Sequence, residues 1–198
     1  MEQIPKQKIH LVPFDNIAGF DVIPGFYDIN GATAIPGGVN FTIHSNQATS
    51  CELLLFRRLE QEPFAVLKFP EHYRIGNVYS MIVFKLNIEE FEYAYRLDGP
   101  YEPEKGIIFN KNKYLLDPYA KAVTGQSMWG RRPQMTCYKA RVVKDDFDWG
   151  DFKQLKIPME DLVIYELHVR GFTIADGSVK TVPGTFAALR EKIPYLKE

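Results

Sequence analysis

Phe91-Glu92-Tyr93-Ala94-Tyr95-Arg96-Leu97-Asp98-Gly99-Pro100-Tyr101 puts Phe, Tyr, Tyr and Leu on one parity before it meets Asp98-Gly99-Pro100. Alternation with period two, closed by turn residues, is the pattern of a half-buried strand. Upstream, Val39-Asn40-Phe41-Thr42-Ile43-His44 alternates in the same way. Cys51 to Phe56 is a shorter apolar run, and Val78 to Leu86 is another, set off by Gly76-Asn77. Short strands with turns between them, from about His10 to Val123, predict an antiparallel sandwich. The long helical periodicities of a bundle are missing from this stretch.

Downstream the pattern weakens. Thr124 to Glu160 reads as a connecting segment, with a candidate strand at Ala140 to Val143 and both tryptophans, Trp129 and Trp149. Exposed indoles are costly in water, so they suggest a linker pinned on a neighbour. From Asp161 the signal returns as DLVIYELHVRGFTIADGSVKTVPGTFAALREKIPYLKE. Val163 to Val169 reads as a buried strand punctuated by Gly171. Gly184 and Thr185 then open a helical repeat of Phe186, Leu189, Ile193 and Leu196. A strand, a loop and a helix form one βα unit, which needs parallel neighbours to cover it. None follows before Glu198, so the unit reads as unfinished.

Over 198 residues, 24 Lys plus Arg oppose 25 Asp plus Glu, a net charge of −1. That balance gives no electrostatic reason to expect nucleic acid or an anionic membrane. No run approaches the roughly 18 apolar residues of a membrane span. The first residues lack the apolar core of a signal peptide. Cys51 and Cys137 are too few for a disulfide framework and fit no metal spacing, so a cytoplasmic protein with reduced thiols is expected.

Tyr165-Glu166-Leu167-His168-Val169-Arg170-Gly171-Phe172-Thr173 resembles the first barrel strand of bacterial glycogen-debranching enzymes, isoamylases and pullulanases, within the α-amylase superfamily of glycoside hydrolases. Gly184-Thr185-Phe186 and Ile193-Pro194-Tyr195-Leu196-Lys197 look like the helix after that strand. Leu115-Leu116-Asp117-Pro118-Tyr119-Ala120-Lys121-Ala122 and the Tyr93 to Tyr101 run are similar to the isoamylase-type amino-terminal module, a family-forty-eight carbohydrate-binding fold. The resemblance implies a mainly β chain: an immunoglobulin-like antiparallel β-sandwich over 1–123, a linker packed on a neighbouring domain over 124–160, and the opening βα unit of a truncated (β/α)8 barrel over 161–198.

It also implies a parent enzyme that hydrolyses α-1,6 branches of glycogen, starch or pullulan with retention, without a cofactor. Retention needs two carboxyl groups about 5–5.5 Å apart. In the family these lie on later barrel strands, so no catalytic residue carries over and the chain alone is expected to be inactive. The alternative reading is a non-catalytic β-sandwich that binds glucan or a partner subunit.

Three residues are candidate glucan or interdomain contacts: Tyr101, Trp129 and Arg170. By resemblance, Tyr101 sits at the turn where glycogen-targeting modules stack an aromatic on glucose. Those modules also carry a Lys where this chain has Ala94. Packing of Tyr101 against a catalytic barrel is the competing role. Strand alternation puts Glu166, His168 and Arg170 on one side of the last strand. There they would form either an acid/base group or, by preference, a paired polar network. Arg170 is nearest the carboxyl end, where barrel active sites gather. Trp129 and Trp149 are either sugar-stacking rings or buried anchors, with the anchor role preferred. Asp145, Asp146 and Asp148 cluster without the glycine of a calcium loop, so a solvated acidic turn is expected. Unpaired apolar residues on the last strand further suggest self-association through its edge.

Overall fold

The computed structural model describes residues 11–125, 138–144 and 146–198. The chain divides into two compact units, Met1–Phe147 and Asp148–Glu198. Among the described residues, no helix is long and apolar enough to cross a membrane.

The first unit is built of strands β1 (Asp15–Ile17), β2 (Phe20–Pro24), β3 (Gly31–Ile35), β4 (Gly38–His44), β5 (Ser50–Arg57), β6 (Pro63–Lys68) and β7 (Arg74–Ile75). They are followed by β8 (Val78–Phe84), β9 (Phe91–Asp98), β10 (Tyr101–Glu102), β11 (Ile107–Ile108), β12 (Ala122–Thr124) and β13 (Lys139–Arg141). One sheet runs β1-β2-β8-β4-β3, with β7 also on β8; the other runs β12-β13-β9-β5-β6; β10 and β11 form a hairpin. Every pairing is antiparallel.

The two sheets share one core. Val39, Phe41 and Ile43 of β4 and Met81 and Val83 of β8 meet Leu53 and Leu55 of β5 and Tyr93, Tyr95 and Leu97 of β9. Phe41 stands edge-on to Tyr93 with ring centroids 5.3 Å apart, and Phe69 stands edge-on to Tyr79 at 6.1 Å. Such tilted pairs add to the area term that dominates core energetics. This is a mainly β, immunoglobulin-like antiparallel sandwich, as the alternation of β4 and β9 predicts. The outer face of the first sheet is polar where Pro24 to Ile29 crosses it. Asn40 accepts from the Phe26 amide at 2.7 Å, and Thr42 donates to the Phe26 carbonyl at 3.0 Å. Gly25 lies so close that a Cβ would sit 2.2 Å from Ser80 Oγ.

Two expectations are corrected here. β12 and β13 join the second sheet through Ala140 opposite Tyr93, so the sandwich extends into the 124–160 stretch read as linker. In the second unit, Leu162 to His168 forms no ladder, and helix α1 (Val169–Thr173) starts where the strand was expected to end. Val163 is 96% and Ile164 81% exposed. A parallel strand exists only through neighbours that take its N–H and C=O groups, and none is present among the described residues. The helical signal is realised as α2 (Phe186–Glu191) and α3 (Ile193–Lys197), separated at Lys192, with Pro194 opening the second. Thr185 caps α2 by accepting from the Ala188 amide at 3.3 Å. The buried residues of this unit's helices are Thr173 and Ala188, while Phe186, Ile193 and Leu196 of the expected apolar stripe stay exposed.

Candidate functional site

The second sheet carries the features that a sugar-binding surface would use, and β9 organises them. Its odd residues enter the core, while Glu92, Ala94, Arg96 and Asp98 face outward. That outward face is not open along its length. Ala94, Leu54 and Phe56 form a second buried cluster, covered by Val66 and Tyr114. The Tyr114 ring stands edge-on to Phe56 at 5.6 Å. The segment bearing Tyr114 is fastened to β9 by two backbone bonds: the Tyr95 amide donates to Leu115 O at 2.9 Å, and the Leu115 amide donates to Tyr95 O at 2.7 Å. At Ala94, where glycogen-targeting modules carry a Lys, the sheet is therefore capped by an aromatic side chain.

Immediately downstream in the chain, the Leu115 to Ala122 motif proves to be an anchor. Asp117 is buried at 1% exposure. Tyr93 donates its hydroxyl to Asp117 Oδ2 at 2.7 Å, and the Tyr119 amide donates to Oδ1 at 2.8 Å. Burial pushes the Asp117 carboxyl up, and the two donors pull it back. Desolvation, reinforced by the same carboxylate, drives the Tyr93 phenol far above its ordinary range, so Tyr93 remains a donor. The turn seats on Gly31, whose φ is +82° and where an added Cβ would lie 2.9 Å from Tyr119 Cβ, leaving no room for a side chain.

Beyond the capped stretch the face becomes polar. A cleft of about 270 Å³ is lined by Ser50, Glu52, Lys68, Arg96, Asp98 and Asn112, among others. Glu52 and Arg96 are cross-strand partners in the β5–β9 register and form an ion pair at 2.5 Å. That bond raises the guanidinium pKa further, so it stays charged. A fixed guanidinium, carboxylates and an amide provide donors and acceptors suited to hydroxyl groups. Alternation in β9 already placed Arg96 outward; its pairing with Glu52 needed the register, and Tyr114 carried no signal.

Tyr101 lies on the β10–β11 hairpin opposite Ile108 and is 70% exposed, so its ring is presented outward from the turn. Trp129 lies outside the described residues. Arg170 belongs to the second unit, inside α1 and not at the end of a strand. Glu166 is exposed and His168 caps α1, accepting from the Gly171 amide at 2.9 Å. Without a ladder, the alternation expected to align these three residues does not arise. Trp149 is exposed at 67% and packs on Phe152 at 5.7 Å, in place of the expected buried anchor. Asp148 accepts from the Gly150 amide at 2.8 Å in an exposed turn. No group of metal-ligating side chains occurs among the described residues.

Residues 30–120 match Carbohydrate-binding module 48 (Isoamylase N-terminal domain). The chain is similar to Isoamylase 1, chloroplastic, of Arabidopsis thaliana, with 35% identity over 179 residues, covering 85% of this chain and 23% of that protein. It is 33% identical over 172 residues to the glycogen debranching enzyme of Pectobacterium atrosepticum, covering 80% of this chain and 25% of that protein. The Group B Streptococcus pullulanase SAP shares the fold, with a TM-score of 0.63 and 24% identity over 87% of this chain and 23% of its own. The chain thus spans about a quarter of the length of these relatives. On these grounds the chain carries, at residues 30–120, a member of the carbohydrate-binding module 48 family, the isoamylase N-terminal domain.

Proposed function

We propose that these 198 residues are the amino-terminal part of an α-glucan debranching hydrolase. The parent cleaves α-1,6 branches of glycogen, starch or pullulan-like glucans by a two-step, retaining reaction whose two carboxyl groups lie outside this chain. The observation that carries the reading is one run of similarity to isoamylases and debranching enzymes that covers 85% of the chain and takes in both units. Within the parent, residues 161–198 are the opening βα unit of the catalytic barrel. The extended Val163 to His168 then gains its ladder from strands supplied by the rest of the protein.

The test compares release of reducing ends from pullulan and amylopectin by the chain alone and by the chain continued through a barrel of roughly 250 residues. Activity of the continued protein and none of the chain is the expected result. Release by the chain alone overturns the proposal.

A second reading is favoured by the module match itself: the sandwich contacts branched glucan without catalysing anything. It assigns sugar contact to the polar cleft around Arg96 and to the exposed ring of Tyr101. It predicts affinity without turnover. For the exposed run Val163 to Tyr165 we further propose pairing with a second copy whenever no barrel covers it, supported by its apolar exposure.

A further inference from the structure

Lys139 joins segments that the sequence holds far apart. It lies on β13, the last strand of the first unit. Its ammonium donates to the Glu60 carbonyl, 79 residues upstream, and stands 3.4 Å from Glu92 Oε2 on β9. The two charged side chains are 2% and 1% exposed. The same carboxylate oxygen accepts from the Leu59 amide at 3.4 Å, and the Phe56 ring centroid lies 4.7 Å from the ammonium. One buried pair therefore touches β13, β9 and the turn between β5 and β6.

The two segments it joins are otherwise lightly held. β13 meets β9 at a single register pair, Ala140 opposite Tyr93; Ala140 and, just after the strand, Val142 are its share of the core. The turn is closed by the Glu60 amide donating to Arg57 O at 3.1 Å, and it carries Leu59 at φ +67° with the side chain 73% exposed. Left-handed backbone disfavours leucine and persists where the surroundings impose it. The pair itself bears a desolvation cost that its attraction must offset, and Glu92 Oε1 has no hydrogen-bond partner among the described residues. A strained turn, a short ladder and an incompletely satisfied ion pair mark a region that opens ahead of the core.

We infer that the Lys139–Glu92 pair is a latch through which the β5–β6 turn and β13 open and close as one unit, ahead of the rest of the sandwich. Closed, it holds Leu59 in its strained form and fixes the last strand before the chain leaves the first unit. A contact that favours one form of the turn then favours the same form of β13, because the two share one equilibrium. Lys139 and Glu92 act in this as positioning residues.

Native-state hydrogen exchange of the 198-residue chain in rising urea tests it. Amides of Leu59 and Glu60 and those of Lys139 to Arg141 are expected to converge on one opening isotherm, below that of β4 and β8. Leu59→Asn places a residue that tolerates positive φ in the turn and changes nothing on β13. It is expected to slow exchange roughly fivefold at the turn and at β13 alike. Lys139→Met is expected to speed exchange at both segments by one common factor, on the order of a hundredfold, and Lys139→Met with Glu92→Leu to recover much of that loss. Should Lys139→Met fail to fold, the parent chain and Leu59→Asn still decide. Separate isotherms for the two segments, opening of both only together with β4 and β8, or a Leu59→Asn effect confined to the turn overturns the latch.

Discussion

Asp117 shows how a sequence motif becomes a structural part. Its carboxylate accepts from the Tyr93 hydroxyl and the Tyr119 amide, so removing it orphans a buried hydroxyl and a partly buried amide. Each orphan costs about 1–3 kcal/mol, and Asp117→Ala is expected to lower stability by at least that much in urea unfolding. Asp117→Asn keeps one carbonyl oxygen for the Tyr119 amide and offers the Tyr93 hydroxyl an N–H to accept. It is expected to cost less than the alanine. The carboxyl's raised pKa adds a sign: ionisation is harder folded than unfolded, so the wild type loses stability relative to the asparagine variant as pH rises through and above the ordinary range of about 3.9. A wild-type advantage that grows with pH contradicts this account.

At the scale of elements, β4, β5, β8 and β9 were legible because alternation and apolar runs reflect burial, and burial is what these strands do. β10 and β11 were not, since two-residue strands have no period. Tyr114 and the covering of Ala94 were invisible because they depend on a loop folding back over the sheet. The expected strand at Val163 to Val169 failed for a different reason: β-branched residues suit a ladder, but a ladder is made by its neighbours.

What orders the second unit instead is a polar clamp between its loop and helices. Glu191 accepts from the Lys180 and Thr181 amides at 2.8 Å each, and Asp176 pairs with Lys192 and Ser178. The Lys192 and Ser178 bonds hold Asp176 below the ordinary carboxylate range, and the amides of Lys180 and Thr181 do the same for Glu191. Both folded pKa values lie below the unfolded ones of about 4, so the clamp is intact above that pH and is lost as pH falls through the folded values. Protection of the Ser178, Lys180 and Thr181 amides, taken relative to the intrinsic exchange rate at each pH, is expected to fall on acidification; protection that stays constant refutes the clamp.

For the whole molecule, the two units differ in what holds them. The sandwich has a continuous aromatic and aliphatic core, whereas in the second unit Thr173 and Ala188 are the buried helix residues and Trp149 to Ile164 presents one apolar side chain after another to solvent. Local stability follows buried apolar contact and shielded backbone hydrogen bonds. Amides of β4, β5, β8 and β9 are therefore expected to exchange through global unfolding, and those of 148–198 orders of magnitude faster. Equal protection in both units contradicts that division.

The same division frames the proposed function, which assigns glucan contact to the sandwich and cleavage to the barrel of the parent enzyme. Native electrophoresis of the purified chain through gels with and without amylopectin tests the first half most directly. Retardation in the amylopectin gel, diminished by Tyr101→Ala, is the expected result. Identical mobility in both gels contradicts it.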